Sequence, residues 1–282
     1  MPGLHLVVSK HACFSGTVGF YRHPSFTCNG EMKFAVYEPP QAKTESVPVL
    51  YFLSGLTSTE ENFIAKAGAQ QFAAKYGLML VAPDTSPRNT GIPGEDTDWD
   101  FGTGAGFYVD ATEEPWQAHY RMYSYVTREL PALIAEHFPV KQGRQGIFGH
   151  SMGGHGALVC ALRNPELYAS VSAFSPIVAP MRCPWGQKAF NHYLGSDRES
   201  WRTYDASELI LKSLFAQPIL IDQGTADSFL ETQLMPEIFE QNCAQVGQPL
   251  TLRRQEGYDH GYYFISTFIE DHLRHHAQIL WG

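Results

Sequence analysis

Charged residues are scarce in this sequence, and so are long apolar runs and cysteines. Only 17% of the 282 residues are charged and 44% are hydrophobic, so the chain can bury a large core without disulfides or metals. Acidic residues outnumber basic ones, and the formal net charge is −9. Binding to a nucleic acid or an anionic membrane would need clustered lysine and arginine. The composition therefore excludes these partners and favours a small molecule.

The apolar runs are too short to cross a membrane. A stretch such as Val47–Leu53 has the length of a strand, far below the roughly 20 residues that span a bilayer. The N-terminal residues also lack the basic region and long apolar segment of a secretory signal. We therefore expect a cytoplasmic protein that is not inserted in a membrane.

Neither the cysteines nor the histidines are spaced as metal ligands. The five cysteines are scattered and include no Cys-x-x-Cys pair, which indicates free thiols in a reducing compartment. A histidine cluster at 272–276 lies on a polar helix, where we expect a solvated face. No glycine-rich loop carries the lysine of a phosphate-binding site. The sequence predicts chemistry without a metal or a cofactor.

Extended apolar segments alternate with helical ones along the whole chain, without a repeat or a flexible linker. This order is typical of a mostly parallel sheet with helices on both faces, so we expect one α/β domain. An early strand at 32–37 is predicted to be antiparallel, and helices are predicted at 62–76 and 122–136. Two irregular segments, 85–115 and 177–193, are predicted to be functional loops over a site.

A serine flanked by glycines is the candidate nucleophile. Ser151 is the centre of the sequence Gly-His-Ser-Met-Gly, with a strand-like segment before it and a helix-like segment after it. Gly149 and Gly153 lack Cβ atoms where the chain would turn sharply, which keeps the serine hydroxyl accessible. The five-residue pattern alone is weak, and a structural turn is the alternative. Its context predicts the nucleophile elbow of an α/β-hydrolase fold.

The acid and the base of this fold follow the nucleophile at the ends of later strands. Asp227 and His260 each follow a predicted strand, so we expect His260 to accept the Ser151 proton and Asp227 to orient the imidazole. Asp222 lies inside its strand and Asp259 adjoins the histidine, so both are weaker candidates for the acid.

The oxyanion of an acyl-transfer intermediate needs two N–H donors. One is expected from Met152, directly after the nucleophile, and the second from the glycine-containing loop after an early strand. Leu56 is the first candidate in that loop and Gly55 the second, while a plain strand-to-helix turn is the alternative. His150 and His155 flank the nucleophile and are interpreted as structural, because they are too close to it in sequence.

Six sequence blocks, in order along nearly the whole chain, resemble the S-formylglutathione hydrolases, also called the esterase D family. The blocks are 53–57, 104–112, 149–156, 184–190, 222–227 and 257–264. The resemblance implies hydrolysis of S-formylglutathione to glutathione and formate, activity on short acyl esters, a cytoplasmic location and a homodimer. By motif it places the triad on Ser151, Asp227 and His260 and the oxyanion donors on Leu56 and Met152.

Candidates for substrate binding come from the irregular segments and the oxyanion loop. A formyl group is small, so we expect crowding by aromatic residues, with ordinary core packing as the alternative. These candidates are Phe107, Tyr108, Trp116 and Trp185. Ser58 stands where many members of the family have cysteine, which implies weaker sensitivity to thiol reagents. The cations that could hold the anionic glutathione are Arg88, Arg121, Arg182 and Lys188.

Two other functions remain open at this point. The same fold and triad would serve a general short-chain carboxylesterase or an acyltransferase, because the site decides function on a widely used fold. A catalytically inactive domain used for binding is the remote alternative.

Overall fold

Nine β-strands form one sheet in the computed structural model, which describes residues 6–282. In chain order the strands are β1 (Leu6–Cys13), β2 (Gly16–Ser25), β3 (Gly30–Glu38), β4 (Val47–Leu53), β5 (Met79–Pro83), β6 (Val140–His150), β7 (Ser170–Phe174), β8 (Ile219–Gly224) and β9 (Leu250–Gln255). Their order across the sheet is β1-β2-β3-β5-β4-β6-β7-β8-β9.

The sheet is antiparallel at one end and parallel over the rest. β1, β2 and β3 pair antiparallel with their neighbours, and from β5 to β9 every pair is parallel. The mostly parallel sheet and the antiparallel early strand are therefore confirmed. The hairpin strands β1 and β2 were not predicted from the sequence, because β1 is mostly exposed and β2 alternates buried with half-buried positions, which leaves a weak apolar pattern.

Helices cover both faces of this sheet. They are α1 (Glu60–Lys66), α2 (Ala69–Tyr76), α3 (Met122–Ser124), α4 (Leu130–His137), α5 (Met152–Arg163), α6 (Pro184–Leu194), α7 (Arg198–Trp201), α8 (Ala206–Ile210), α9 (Pro236–Val246) and α10 (Tyr262–Trp281). None of the helices within residues 6–282 combines the length and the apolar composition needed to cross a membrane.

Alternation along the buried strands creates two separate cores. In β4, Leu50 and Phe52 pack with apolar residues of α1, α2 and α10 on one face. Val49 and Tyr51 point to the other face and pack with residues of α3 through α9. Successive side chains of a strand point to opposite faces, so a strand covered on both sides has an unbroken apolar sequence.

Two predicted helices are interrupted. The helix predicted over 62–76 is two helices, because Gly68 between them has φ +65°, a left-handed conformation that breaks the helical path. The segment 122–136 contains a π-helical turn at Tyr125–Glu129 between α3 and α4. In both segments one continuous helix was predicted and the structure has a break, but each segment is helical where helix was predicted.

The histidines of α10 lie differently from the prediction. His272 and His276 are fully buried, so the expected solvated face is wrong for these two residues. The Oγ of Ser170 lies 2.6 Å from His276 Nδ1, and the Oγ of Ser172 lies 2.8 Å from both His276 Nε2 and His272 Nδ1. Serines at alternate positions of β7 face α10 and supply polar partners for the imidazoles, so burial leaves these nitrogens hydrogen-bonded.

Candidate active site

The nucleophile candidate occupies a strained turn between β6 and α5. Ser151 has φ 58° and ψ −120°, a conformation that residues with a Cβ rarely adopt. A Cβ on Gly149 would lie 2.2 Å from the carbonyl oxygen of Gly153, and one on Gly153 would lie 1.9 Å from that of Leu53. The two glycines are therefore needed for this close approach, as the sequence pattern predicts.

The acid and base candidates form a short hydrogen bond. His260 Nδ1 lies 2.6 Å from Asp227 Oδ2, and the second carboxylate oxygen of Asp227 accepts the N–H of Phe229 at 2.9 Å. Burial would raise the pKa of Asp227, but its hydrogen bonds, above all with His260, hold that pKa below its usual value. The carboxylate stays ionised, and it favours the tautomer with the proton on Nδ1, leaving Nε2 of His260 free to accept a proton.

Asp222 has a different set of partners from Asp227. It is fully buried and makes a bidentate ion pair with Arg253, at 2.6 Å to Nε and 2.5 Å to Nη2. Its carboxylate also lies 3.3 Å from His272 Nε2. Burial would raise the pKa of Asp222, but bonds with His272 and Arg253 hold it below the usual value. The geometry favours Asp227 over Asp222 as the partner of His260.

One cavity brings the candidate residues together. It has a volume of about 300 Å³ and is bordered by Ser151 and His260 on one side and by the oxyanion loop on the other. The loop residues that border it are Gly55, Leu56, Thr57 and Ser58. Four aromatic residues, Trp99, Trp185, Phe229 and Tyr262, border it as well. The carboxyl ends of β4 and β6 and the loop after β9 meet here, which is where open α/β sheets form their sites.

The first long irregular segment fixes the oxyanion loop. The hydroxyl of Tyr108 donates to the Ser54 carbonyl at 2.9 Å, and the Thr57 N–H donates to the Gly104 carbonyl at 2.9 Å. The Ser58 carbonyl accepts from Thr85 Oγ1 at 2.6 Å and from Arg88 at 3.1 Å. These bonds hold both ends of the loop from behind, and Tyr108 thereby acts on the site through the backbone.

The backbone N–H groups of Met152 and Leu56 are not used in hydrogen bonds within the described part of the chain. Met152 is the first residue of α5, and the N–H groups of a first turn have no partner within their helix. The Leu56 N–H, unlike that of Thr57, donates to no acceptor among residues 6–282. Leu56 borders the cavity, and Met152 directly follows Ser151, which also borders it. A Cβ at Gly55 would lie 3.1 Å from Ser151 Cβ, which explains why a small residue precedes Leu56.

The aromatic candidates differ in whether they border the cavity. Trp185 borders the cavity and packs edge-on against Trp99 at 5.6 Å between ring centroids. Phe107 is fully buried and its carbonyl oxygen lies 2.9 Å from His155 Nε2, and Trp116 packs on Tyr120 at 4.8 Å. Phe107 and Trp116, which were expected to line the acyl site, do not border the cavity and instead pack in the hydrophobic core.

The cations predicted for substrate binding do not border the cavity. Arg88 is paired with Asp84 at 2.7 Å, and Lys188 is paired with Asp98 at 2.9 Å and with Asp100. Arg121 and Arg182 are exposed but lie outside the cavity lining. No group of His, Cys, Asp and Glu within the described residues is placed to hold a metal ion.

His150 and Lys66 are two cavity residues that sequence reasoning did not assign to the site. The ring of His150 lies 4.4 Å from the ring of His260, and burial lowers the pKa of His150 well below its usual value. A neutral imidazole therefore packs against the base candidate. Position next to Ser151 was the available signal for His150, whereas Lys66 comes from α1 and has no local sequence signal.

The fold and these contacts define a class: an α/β-hydrolase with a serine, histidine and carboxylate at the carboxyl ends of its strands. A family model described as Esterase matches residues 25–275. The chain is 58% identical over 275 residues to the S-formylglutathione hydrolase of Rattus norvegicus, with 97% of this chain and 98% of the relative covered. It is 50% identical over 273 residues to that of Paracoccus denitrificans, with 97% of each covered.

A solved structure shows the same similarity in three dimensions. The S-formylglutathione hydrolase from Agrobacterium tumefaciens is 53% identical and superposes with a TM-score of 0.95, covering 97% of this chain and 99% of the other. The chain belongs to the S-formylglutathione hydrolase family of esterases. The resemblance of the six sequence blocks and the α/β-hydrolase fold are thereby confirmed.

Proposed function

We propose that this protein hydrolyses S-formylglutathione to glutathione and formate, with Ser151 as nucleophile, and that it also cleaves short acyl esters. The observation that carries the proposal is the cavity in which Ser151, His260 and the oxyanion loop meet. The names of the full-length relatives supply the substrate. No step requires a metal or a cofactor, since nucleophile, base and oxyanion donors all come from the chain.

In the first half-reaction, the Ser151 Oγ attacks the formyl carbon and its proton passes to Nε2 of His260. The negative charge that forms on the carbonyl oxygen is stabilised by the N–H groups of Leu56 and Met152. The C–S bond then breaks and glutathione leaves as a thiolate, which takes the proton from the imidazolium. Asp227 stabilises that imidazolium through the 2.6 Å hydrogen bond to Nδ1.

In the second half-reaction, water attacks the formyl ester on Ser151 while His260 accepts one of its protons. The same oxyanion donors stabilise the second tetrahedral intermediate. Its collapse returns the proton from His260 to Ser151 and releases formic acid, which loses its remaining proton to water as formate. A thiolate is a better leaving group than an amine, so this set of groups suffices for a thioester.

The cavity has a volume of about 300 Å³, and Trp185, Leu56 and Phe229 are among the residues that border it. A formyl group needs little space, whereas a long acyl chain would have to displace aromatic side chains. We propose Trp185 and Ser58 as residues that contact the substrate, since both border the cavity. Short ester chains should therefore be preferred to long ones.

The measurement that tests the function compares kcat/KM for S-formylglutathione with that for p-nitrophenyl acetate, using Ser151→Ala as the blank. A large preference for the thioester is the expected result. Turnover of the ester with no measurable turnover of the thioester would contradict the proposed substrate and favour a general carboxylesterase. Turnover that needs an acceptor alcohol would favour an acyltransferase.

The proposal includes a cytoplasmic location and a homodimer, as the family resemblance implies. Val7, Val8, Phe14 and Phe26 are large apolar residues exposed on the N-terminal strands and their turns, where a second copy could cover them. Analytical ultracentrifugation tests the dimer, and a monomer at micromolar concentration would contradict it.

A further inference from the structure

Lys66 stands out electrostatically among the residues that border the catalytic cavity. It is the one lysine or arginine in the described lining, and that lining contains no aspartate or glutamate. The whole chain has a formal net charge of −9. A cavity with a cation and no carboxylate in such an acidic protein favours an anionic ligand.

Local structure places Lys66 at the mouth of the cavity. α1 begins directly after the oxyanion loop, where Asn62 Oδ1 accepts the Thr59 N–H at 2.8 Å and Thr59 Oγ1 accepts the Glu61 N–H at 3.3 Å. This capping box fixes the start of the helix. Lys66 is the last residue of α1, and its Nζ lies 5.6 Å from the centre of the Tyr262 ring.

A second groove continues from the cavity at this point. It has a volume of about 560 Å³, and both Lys66 and Tyr262 border it as well as the catalytic cavity. Asp259 lies on the same groove, one residue before His260. Its Oδ1 accepts the Gly261 N–H at 2.8 Å, which orients the carboxylate and leaves Oδ2 available to a ligand. The groove thus presents one cation and one anion next to the site.

We propose that this groove binds the γ-glutamyl end of the glutathione moiety, with Lys66 on its α-carboxylate and Asp259 on its ammonium group. The inference rests on the proposed function and names the subsite of that substrate. The γ-glutamyl end carries a carboxylate and an ammonium on the same carbon, and a lysine beside an aspartate is complementary to that pair. The thioester sulfur then lies toward Ser151, and the peptide extends past Tyr262 into the groove.

The other cations near the site are less suited to this role. Arg88 and Lys188 are already bonded to the carboxylates of Asp84, Asp98 and Asp100. Binding a substrate carboxylate there would require breaking an existing ion pair. Lys66 makes no ion pair with residues 6–282 and lies over the Tyr262 ring, so binding a ligand carboxylate there breaks no existing ion pair.

Kinetics with charged and neutral substrates test the role of Lys66. Lys66→Met should raise KM for S-formylglutathione roughly three- to tenfold, the loss of a charge-assisted bond at an exposed site, with kcat changed less than twofold. The kinetics of p-nitrophenyl acetate should stay as in the wild type, since this ester has no carboxylate. Lys66→Arg should restore most of the binding. Lys212→Met, which removes an exposed lysine outside these cavities, is the matched control.

Asp259 is tested with a glutathione that does not react. S-methylglutathione should inhibit ester hydrolysis competitively, and N-acetylation of its amine should weaken inhibition of the wild type several-fold. Asp259→Asn should bind both compounds with the same weak affinity. Because Asp259 adjoins His260, unchanged kcat for p-nitrophenyl acetate is the check that the base is intact.

The outcomes separate the two proposals. If the wild type turns over the ester but not S-formylglutathione, the proposed function fails, and absence of inhibition by S-methylglutathione then removes the subsite too. If the wild type prefers S-formylglutathione and Lys66→Met has an unchanged KM, the function stands and the subsite is wrong. Equal loss on the thioester and the neutral ester would show a structural effect and would also overturn the subsite.

Discussion

The molecule contains two sets of aspartate, histidine and serine, one at the edge of the sheet and one beneath it. At the edge, Asp227 is 2.6 Å from His260, and Ser151 borders the same cavity as that histidine. Beneath the sheet, Asp222 is 3.3 Å from His272, whose other nitrogen is 2.8 Å from the hydroxyl of Ser172. Residue types and sequence order are similar, since both aspartates come from the β8 region and both histidines follow β9.

Access and local backbone distinguish the two sets. His260 borders a cavity, whereas His272 is fully buried and stacks on Phe174 at 3.7 Å between ring centroids. Ser151 lies on a strained elbow, whereas Ser172 lies within β7. The charge of Asp222 is also neutralised by its ion pair with Arg253. The proposed catalytic set lies where a substrate can enter, whereas the same three residue types serve packing where it cannot.

Replacing each of the two serines by alanine should give the largest difference between the two sets. Ser151→Ala should lower kcat by roughly a million-fold, as loss of a triad nucleophile does in other enzymes. Ser172→Ala should leave kcat within a few-fold of the wild type and lower thermal stability, since two buried imidazoles lose a partner. Steady-state kinetics and calorimetry on both variants provide the measurement. A Ser151→Ala enzyme with a tenth of the normal activity would remove Ser151 from the mechanism.

The two aspartates should show opposite patterns. Asp227→Asn should lower kcat by roughly 10⁴-fold, because the imidazole is then held in the wrong tautomer. Asp222→Asn should have a much smaller effect on kcat and should cost about 1–3 kcal/mol of unfolding free energy, since Arg253 loses one carboxylate partner but keeps Asp271. Kinetics combined with urea denaturation measures both. The reverse order of the kcat effects would make Asp222 the acid.

Low pH should lower the stability of the folded protein through the buried histidines His272 and His276. Burial lowers the pKa of His272, and that of His276 to well below the usual 6.5. The folded state therefore favours their neutral forms, and their contribution to stability is full above pH 6.5 and is lost as pH falls toward the folded pKa. Urea midpoints should fall from pH 7.5 to pH 5, and less steeply for His276→Gln. Equal slopes would show that His276 does not titrate on unfolding.

Thiol reagents give the smallest expected effect. Burial raises the pKa of every cysteine, to about 11 for Cys183 and about 12 for Cys28 and Cys243, so little reactive thiolate forms at neutral pH. Iodoacetamide should leave most activity of the wild type. Ser58→Cys, which places a thiol on the cavity, should make the enzyme sensitive. Rapid complete inactivation of the wild type would point to an unrecognised reactive cysteine.

Several features of the proposed catalytic set could be predicted from the sequence alone. Gly149, Ser151 and Gly153 are constrained by local backbone geometry, so a five-residue window with its flanking strand and helix predicts the elbow. Asp227 and His260 follow from the order of strands, because parallel strands end at the same edge of the sheet. The family blocks then supplied the substrate class. These inferences depend on short segments and their sequence order.

Other features depended on contacts between distant segments. His276 and Ser170 are 106 residues apart, and a polar sequence such as 272–276 predicts a solvated face unless the strand opposite is known to carry serines. Phe107 and Trp116 were expected at the acyl site because they are aromatic and come from the irregular segments, yet neither borders the cavity. Lys66 lies in an ordinary helix and reaches the cavity only because α1 follows that loop.

The sequence by itself determined the candidate nucleophile, the order of the acid and base candidates, the parallel sheet and the family, because each depends on local backbone requirements or on chain order. The tertiary structure decided which aspartate pairs with which histidine, which aromatic residues border the cavity and which lysine stands at its mouth. Those outcomes follow from how helices pack on the two faces of the sheet, and packing brings together side chains that no local pattern connects.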